Sequence, residues 1–156
     1  MKGFSLLLRR WLPVVLWAGL MLYASTSVAS GDRTASMFRP ILAWFFPHLN
    51  MASVPEINFF ARKTAHVIQF VIYAMLLWRG LWLNPPLIVR TRSVVACILG
   101  TAALLALASE GIQLFSPMRS SLFSDVWLDV SGAAIGTGII LGVRHFLPRF
   151  KRPQVA

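Results

Sequence analysis

Four separate stretches of this chain are each apolar over about the 20 residues that a helix needs to cross a bilayer. They cover about 11–30, 57–83, 93–115 and 124–146. That feature sets the expected fold class: an all-α integral membrane protein, built as a four-helix transmembrane bundle. Composition points the same way. Apolar residues make up 57% of the chain and charged residues 13%, against about 45–50% and about 25% in soluble domains. A soluble globular enzyme, a disordered tail and a coiled coil do not fit those proportions. The 156 residues allow one domain, 1–156, and no second one of useful size.

The net charge of +10 would suit nucleic acid, but its placement argues otherwise. The basic residues stand in small groups between apolar runs, which is the pattern of membrane topology signals. No nucleic-acid partner is expected; the first partner is the lipid bilayer. Lys2, Arg9 and Arg10 precede span one, Arg79, Arg90 and Arg92 flank the connection between spans two and three, and Arg144, Arg149, Lys151 and Arg152 follow span four. With four spans all three groups share one side, which the positive-inside rule makes cytoplasmic, with both termini there. Arg33, Arg39, Arg62, Lys63 and Arg119 fall on the other side. A competing reading of span one is a signal peptide, because Ser27-Val28-Ala29-Ser30 resembles a cleavage site.

Between the spans, residues 34–47, with Phe38, Trp44, Phe45 and Phe46, read either as a short helix lying at the outer interface, its core bounded by Pro40 and Pro47, or as an aromatic-rich loop. Asn84-Pro85-Pro86 is a tight helix-ending connection. The single cysteine, Cys97, offers neither a disulfide framework nor a thiolate metal site.

The ionisable residues inside the spans carry the functional information, because charge within a membrane helix is costly and usually faces the bundle interior. Taking the cytoplasmic basic residue of each span as zero, helical rise puts His66 at about 20 Å, Lys63 at about 24 Å and Arg62 at about 26 Å. The same rule puts Glu110 at about 27 Å, Asp129 at about 23 Å and Asp125 at about 29 Å. Three helices thus place charge in one layer, in the outer third of a hydrocarbon core about 30 Å thick. Arg62, Lys63 and Arg119 nearly balance Glu110, Asp125 and Asp129, as ion pairing in a buried site requires. Arg62, His66, Gln69 and Tyr73 form one stripe on span two, with Lys63 beside it. Glu110 and Gln113 share a face of span three, and Asp125, Asp129, Gly132 and Gly136 share one of span four. Gly132/Gly136 and Gly138/Gly142 are two small-xxx-small pairs of the kind that lets helices approach closely.

Three segments resemble the VanZ-like family. Arg62-Lys63-Thr64-Ala65-His66 followed by Gln69-Phe70 is similar to its R-K-x-A-H-x-x-E-Y segment. Ser109-Glu110-Gly111-Ile112-Gln113-Leu114-Phe115-Ser116-Pro117-Met118-Arg119 resembles D/S-E-x-x-Q-x-F-x-P-x-R. Ser124-Asp125-Val126-Trp127-Leu128-Asp129-Val130-Ser131-Gly132, then Gly136, resembles D-x-x-x-N-x-x-G-x-x-x-G, and Tyr23-Ala24-Ser25-Thr26-Ser27 looks like the serine-containing end of the family's first span. The chain departs from the pattern in having Gln69 where the family often has Glu, and Asp129 where it often has Asn. The resemblance implies a single VanZ-like transmembrane domain in a bacterial cytoplasmic membrane. The family's founding member is associated with teicoplanin resistance, a phenotype that specifies no chemistry.

Each residue has a functional and a structural reading. His66 and Glu110 suit acid–base catalysis, or His66 is a buried histidine bonded to Glu110 or an aspartate. Arg62, Lys63 and Arg119 suit an anionic group, or they snorkel to the interface. Glu110, Asp125 and Asp129, with Gln69 and Gln113, line the same layer as ligand contacts, or the carboxylates only neutralise the bases. No metal and no cofactor is expected. Ser120, Ser121 and Ser124 read as a cap before span four, and Tyr73, Cys97, His48 and His145 as packing or interfacial residues. The resulting expectation is an outer-leaflet polar pocket between spans two, three and four. It would bind an envelope-associated anionic or lipid-linked ligand, such as a cell-wall precursor or a glycopeptide. An enzyme of lipid or cell-wall modification and a structural membrane subunit are the rivals. Oligomeric state is not legible.

Overall fold

The computed structural model describes residues 2–26, 31–48, 51–82, 91–115 and 123–146. Five helices follow one another: α1 (Lys2–Ala24), α2 (Gly31–Phe45), α3 (Val54–Trp82), α4 (Thr91–Leu114) and α5 (Phe123–Phe146), with a single 3-10 turn at Met51–Ser53 before α3. All but α2 are long and apolar enough to cross a membrane. No strand occurs among the described residues. The four-span expectation therefore holds, with two changes of boundary. Helix α1 starts at Lys2 and its apolar window is Leu6–Ala24, so span one lies closer to the N-terminus than 11–30. Leu6-Leu7-Leu8 carries no stop signal, and Pro13 sits inside the helix, as membrane helices tolerate. The helix ends where hydroxyls compete for its last carbonyls: Ser25 Oγ donates to Met21 O and Thr26 Oγ1 to Tyr23 O. Residues 27–30, and with them the cleavage-site reading, lie outside the described residues, as does Asn84-Pro85-Pro86.

The segment read as a short helix or a loop is helical, as α2, with Pro40 within the helix rather than bounding it. Met37, Ile41, Trp44 and Phe45 recur at helical spacing and are exposed, giving an apolar face suited to the headgroup boundary. Ser124 is not a cap either. Helix α5 begins at Phe123, so Ser124 lies in the first turn, with its Oγ 3.4 Å from Asp125 Oδ1. Ser120 and Ser121 lie outside the described residues.

Helices α3 and α5 run parallel and make the most extensive contact in the bundle. Lys63 meets Asp125, His66 meets Asp129, Gly132 lies on Val67, Gly136 on Val71, and Arg144 reaches Trp82. One register therefore holds along the whole pair. Small residues let the backbones touch: a Cβ at Gly132 would sit 2.6 Å from Val67 O, and one at Gly136 2.7 Å from Val71 O. Gly138 and Gly142 meet nothing within 4 Å, so the second small-xxx-small pair makes no close contact. Helix α4 returns antiparallel and packs against α5 and α3, and α1 lies against α3 and α4. Gly80 packs on Trp11 near the start of α1, and Trp17 Nε1 donates to the Gln69 carbonyl at 3.0 Å.

The distribution of side-chain size is that of a lipid-solvated bundle. Ala74, Ala102, Ala106 and Ala133 are fully buried, while Leu104, Leu114, Trp127 and Ile135 point outward. Lipid tails are as apolar as leucine, so packing of small residues, more than burial of large ones, holds such helices together. Tyr73 is buried in the core, whereas Cys97, His48 and His145 are exposed.

Candidate functional site

The mixed-charge layer assembles at the end of the bundle where α3 and α5 begin and α4 ends. Lys63 and His66 are three apart on α3; Asp125 and Asp129 are four apart on α5. On parallel helices these spacings bring both pairs into contact. Lys63 Nζ donates to Asp125 Oδ1 and also lies 5.4 Å from the Phe59 ring centre. One turn deeper, His66 Nδ1 lies 3.1 Å from Asp129 Oδ1. Asp129 is fully buried, while the side chains of Lys63 and His66 keep 24% and 15% of their surface. The cluster is thus closed against the helices and open along one edge.

Helix α4 contributes Glu110, which lies within Coulombic reach of Asp125, His66, Asp129 and Lys63. It is 7% exposed, and neither carboxylate oxygen has a hydrogen-bond partner among the described residues. One turn further along α4, Gln113 is 1% exposed and its Nε2 is also unpartnered there. Asp129 Oδ2 is the third such group. Buried polar groups are ordinarily bonded, because leaving one unmade costs about 1–3 kcal/mol. Three carboxylate oxygens and one amide nitrogen of the layer thus have no hydrogen-bond partner among the described residues.

The proposed stripe on α3 divides. His66 turns to α5, whereas position 69 sits beside α1: its carbonyl accepts Trp17, and its side chain is half-buried. Arg62, on the same line as Gln69, is half-buried and makes no ion pair among the described residues. The structure thus gathers His66, Glu110, Lys63, Asp125, Asp129 and Gln113, and sets Arg62 and Gln69 on the flank. Arg119 lies outside the described residues. No group of three or more His, Cys, Asp or Glu side chains able to hold a metal ion occurs among the described residues.

Two buried polar features escape the charge argument. Ser25 and Ser109 hydroxyls meet at 2.6 Å and are both buried. Ser25 gives its proton to Met21 O, which leaves Ser109 as the donor. This bond ties α1 to α4 immediately beside Glu110. Asn58, buried one turn before Arg62, is a second polar residue that the charge argument passes over. Both could have been found by listing every polar residue in a span, hydroxyls and amides included.

A family profile described as VanZ/LLP1 matches residues 10–145, which takes in every residue of the layer. No curated protein and no solved structure is detectably similar to the chain.

Proposed function

The chain belongs to the VanZ/LLP1 family, and from that premise we propose that its mixed-charge layer binds an envelope-associated, lipid-linked molecule at the outer face of a bacterial cytoplasmic membrane. The observation that carries this reading is Glu110: a buried carboxylate, in a span, with both oxygens unpartnered among the described residues. A ligand bearing hydroxyl, amide or amine donors supplies the missing bonds to Glu110 and Asp129, and its carbonyls accept from Gln113. Arg62, joined by Arg119, holds an anionic phosphate or carboxylate at the flank. Lys63–Asp125 and His66–Asp129 fix α3 against α5 and so shape the layer. A lipid-linked cell-wall precursor carries all these groups, and a glycopeptide would compete for the same envelope chemistry. Altered glycopeptide susceptibility then follows indirectly. The grouping of basic residues away from this layer supports a topology with both termini in the cytoplasm.

Native mass spectrometry of the purified protein, offered an undecaprenyl diphosphate-linked saccharide, tests the proposal. A retained adduct is expected, lost in Arg62→Ala and Glu110→Leu with unchanged thermal stability. Equal retention by those variants refutes it. Loss of folded protein in both, with charge-swapped pairs restoring it, supports a structural subunit instead. A second reading rests on the His66–Asp129 contact. A carboxylate that orients an imidazole through one ring nitrogen leaves the other free for proton transfer. An enzyme built this way loses turnover in His66→Ala while keeping the adduct.

A further inference from the structure

The charges that the described residues bring to the mixed-charge layer do not balance. Glu110, Asp125 and Asp129 stand within Coulombic reach of Lys63 and His66. Lys63 answers Asp125, and His66 lies against Asp129. Glu110 is thus a third carboxylate, 7% exposed, with no ion pair among the described residues. Arg62 stands on the flank and forms none there either. A buried carboxylate is expensive unless it is both paired and hydrogen-bonded.

The atoms without partners ask for one kind of donor. Glu110 Oε1 and Oε2 come from α4, and Asp129 Oδ2 comes from α5. Hydroxyl or amide donors would make bonds to these oxygens and leave the negative charge in place. A guanidinium holds its five donors in one plane, which suits a single carboxylate better than two on separate helices. A primary ammonium is a compact charge with three rotatable donors, one for each of the three oxygens. A bare metal ion fits less well, since no group of three or more His, Cys, Asp or Glu side chains is placed to hold one among the described residues. Gln113 Nε2, three residues nearer the end of α4, is an unpartnered donor. An acceptor oxygen therefore belongs about 4.5 Å outward of the ammonium. Helix α4 ends at Leu114, which puts Glu110 about 6 Å inside it. The edge where the Lys63 and His66 side chains keep 24% and 15% of their surface is the way in.

We propose that the group entering the layer is a primary ammonium on a short tether, its N–H donors shared between Glu110 and Asp129 and an oxygen of the tether accepting from Gln113. The inference rests on the reading of the layer as a site for a lipid-linked molecule and narrows it. The ligand is zwitterionic, with its amine inside and its phosphate or carboxylate outside on Arg62. Two envelope sources carry that chemistry: an amine side chain on a lipid-linked peptide, and the aminoethyl headgroup of a phospholipid. A Glu110 that served packing alone would not distinguish an amine from its acylated or methylated form.

The purified protein in detergent is to be titrated with two pairs of lipids, and bound species counted by native mass spectrometry. The first pair is an undecaprenyl diphosphate-linked saccharide bearing a short lysine-containing peptide, with the lysine amine free or acetylated. The second is phosphatidylethanolamine and phosphatidylcholine with the same acyl chains. Acetylation removes the charge, and methylation removes the donors. The free amine should be retained at least about tenfold better than its partner, as hydrogen bonds to a charged group imply. A preference in the first pair assigns the amine to a lipid-linked peptide, and one in the second pair alone assigns it to a phospholipid headgroup. Glu110→Gln, which keeps the shape and removes the charge, should abolish the preference. Asp129→Asn, on the other helix, should lower it as well and keeps the test alive if Glu110→Gln fails to fold. Equal retention within both pairs, or a preference unchanged in both variants, overturns the ammonium and leaves the lipid-linked reading standing. Retention of no member of either pair overturns both.

Discussion

Replacing Gly132 or Gly136 by alanine tests the packing that everything else depends on. The new Cβ would meet Val67 O at 2.6 Å, or Val71 O at 2.7 Å, where ordinary contact begins at 3.4 Å. Both obstacles are backbone and cannot swing aside, so α5 must move away from α3 by about 0.7–0.8 Å. A shift of that size carries the 3.1 Å His66–Asp129 contact out of hydrogen-bond range. Overpacking costs about 1–3 kcal/mol and the lost bond about 1 kcal/mol more, for a total near 2–4 kcal/mol. The sequence supplies its own control. Gly138 and Gly142 lie on the same helix with the same spacing and have nothing within 4 Å. Alanine there should be neutral, or stabilising by up to about 1 kcal/mol through helix propensity. Unfolding in mixed micelles with increasing SDS, followed by far-UV circular dichroism, gives the four values. If all four substitutions behave alike, or if Gly132→Ala is as stable as the parent, the close α3–α5 approach is wrong.

The remaining expectations concern single contacts. Asp125→Ala leaves Lys63 without its partner; because Lys63 keeps 24% of its side-chain surface, the loss should stay below the about 3–5 kcal/mol of a fully buried pair, and the swap K63D/D125K should recover part of it in the same unfolding assay. Ser25→Ala and Ser109→Ala should each cost about 1 kcal/mol, and their double-mutant cycle should show a coupling of at least about 0.5 kcal/mol; an additive cycle would mean that the two hydroxyls do not bond. Trp17→Phe removes the donor to the Gln69 carbonyl but keeps an aromatic ring, so it should destabilise by about 0.5–1.5 kcal/mol, read as a lower melting temperature in detergent.

Much of the site was legible because membrane burial makes a charge informative wherever it stands. Lys63, His66, Glu110, Asp125 and Asp129 were placed in one layer by helical rise alone, and contacts between α3 and α5 join the two pairs. The sequence did not reveal which base meets which acid. Arg62 and Lys63 are neighbours with the same charge, and only the rotation of α3 decides that Lys63 faces α5 while Arg62 turns aside. The Ser25–Ser109 bond was invisible to a search for charge, since hydroxyls can satisfy themselves on their own helix, as Thr101 and Ser131 do.

The sequence alone determined the four helices long and apolar enough to cross a membrane and the level along each at which the polar residues stand. Each of these depends on a one-dimensional quantity: the length of an apolar run, or residues counted from a basic end at a fixed rise. The tertiary structure decided which faces meet. Two glycine pairs of identical spacing differ in use because only Gly132 and Gly136 fall where α5 touches the α3 backbone. The angular position of a helix is set by contacts with residues far away in sequence, and no count along a single helix contains it.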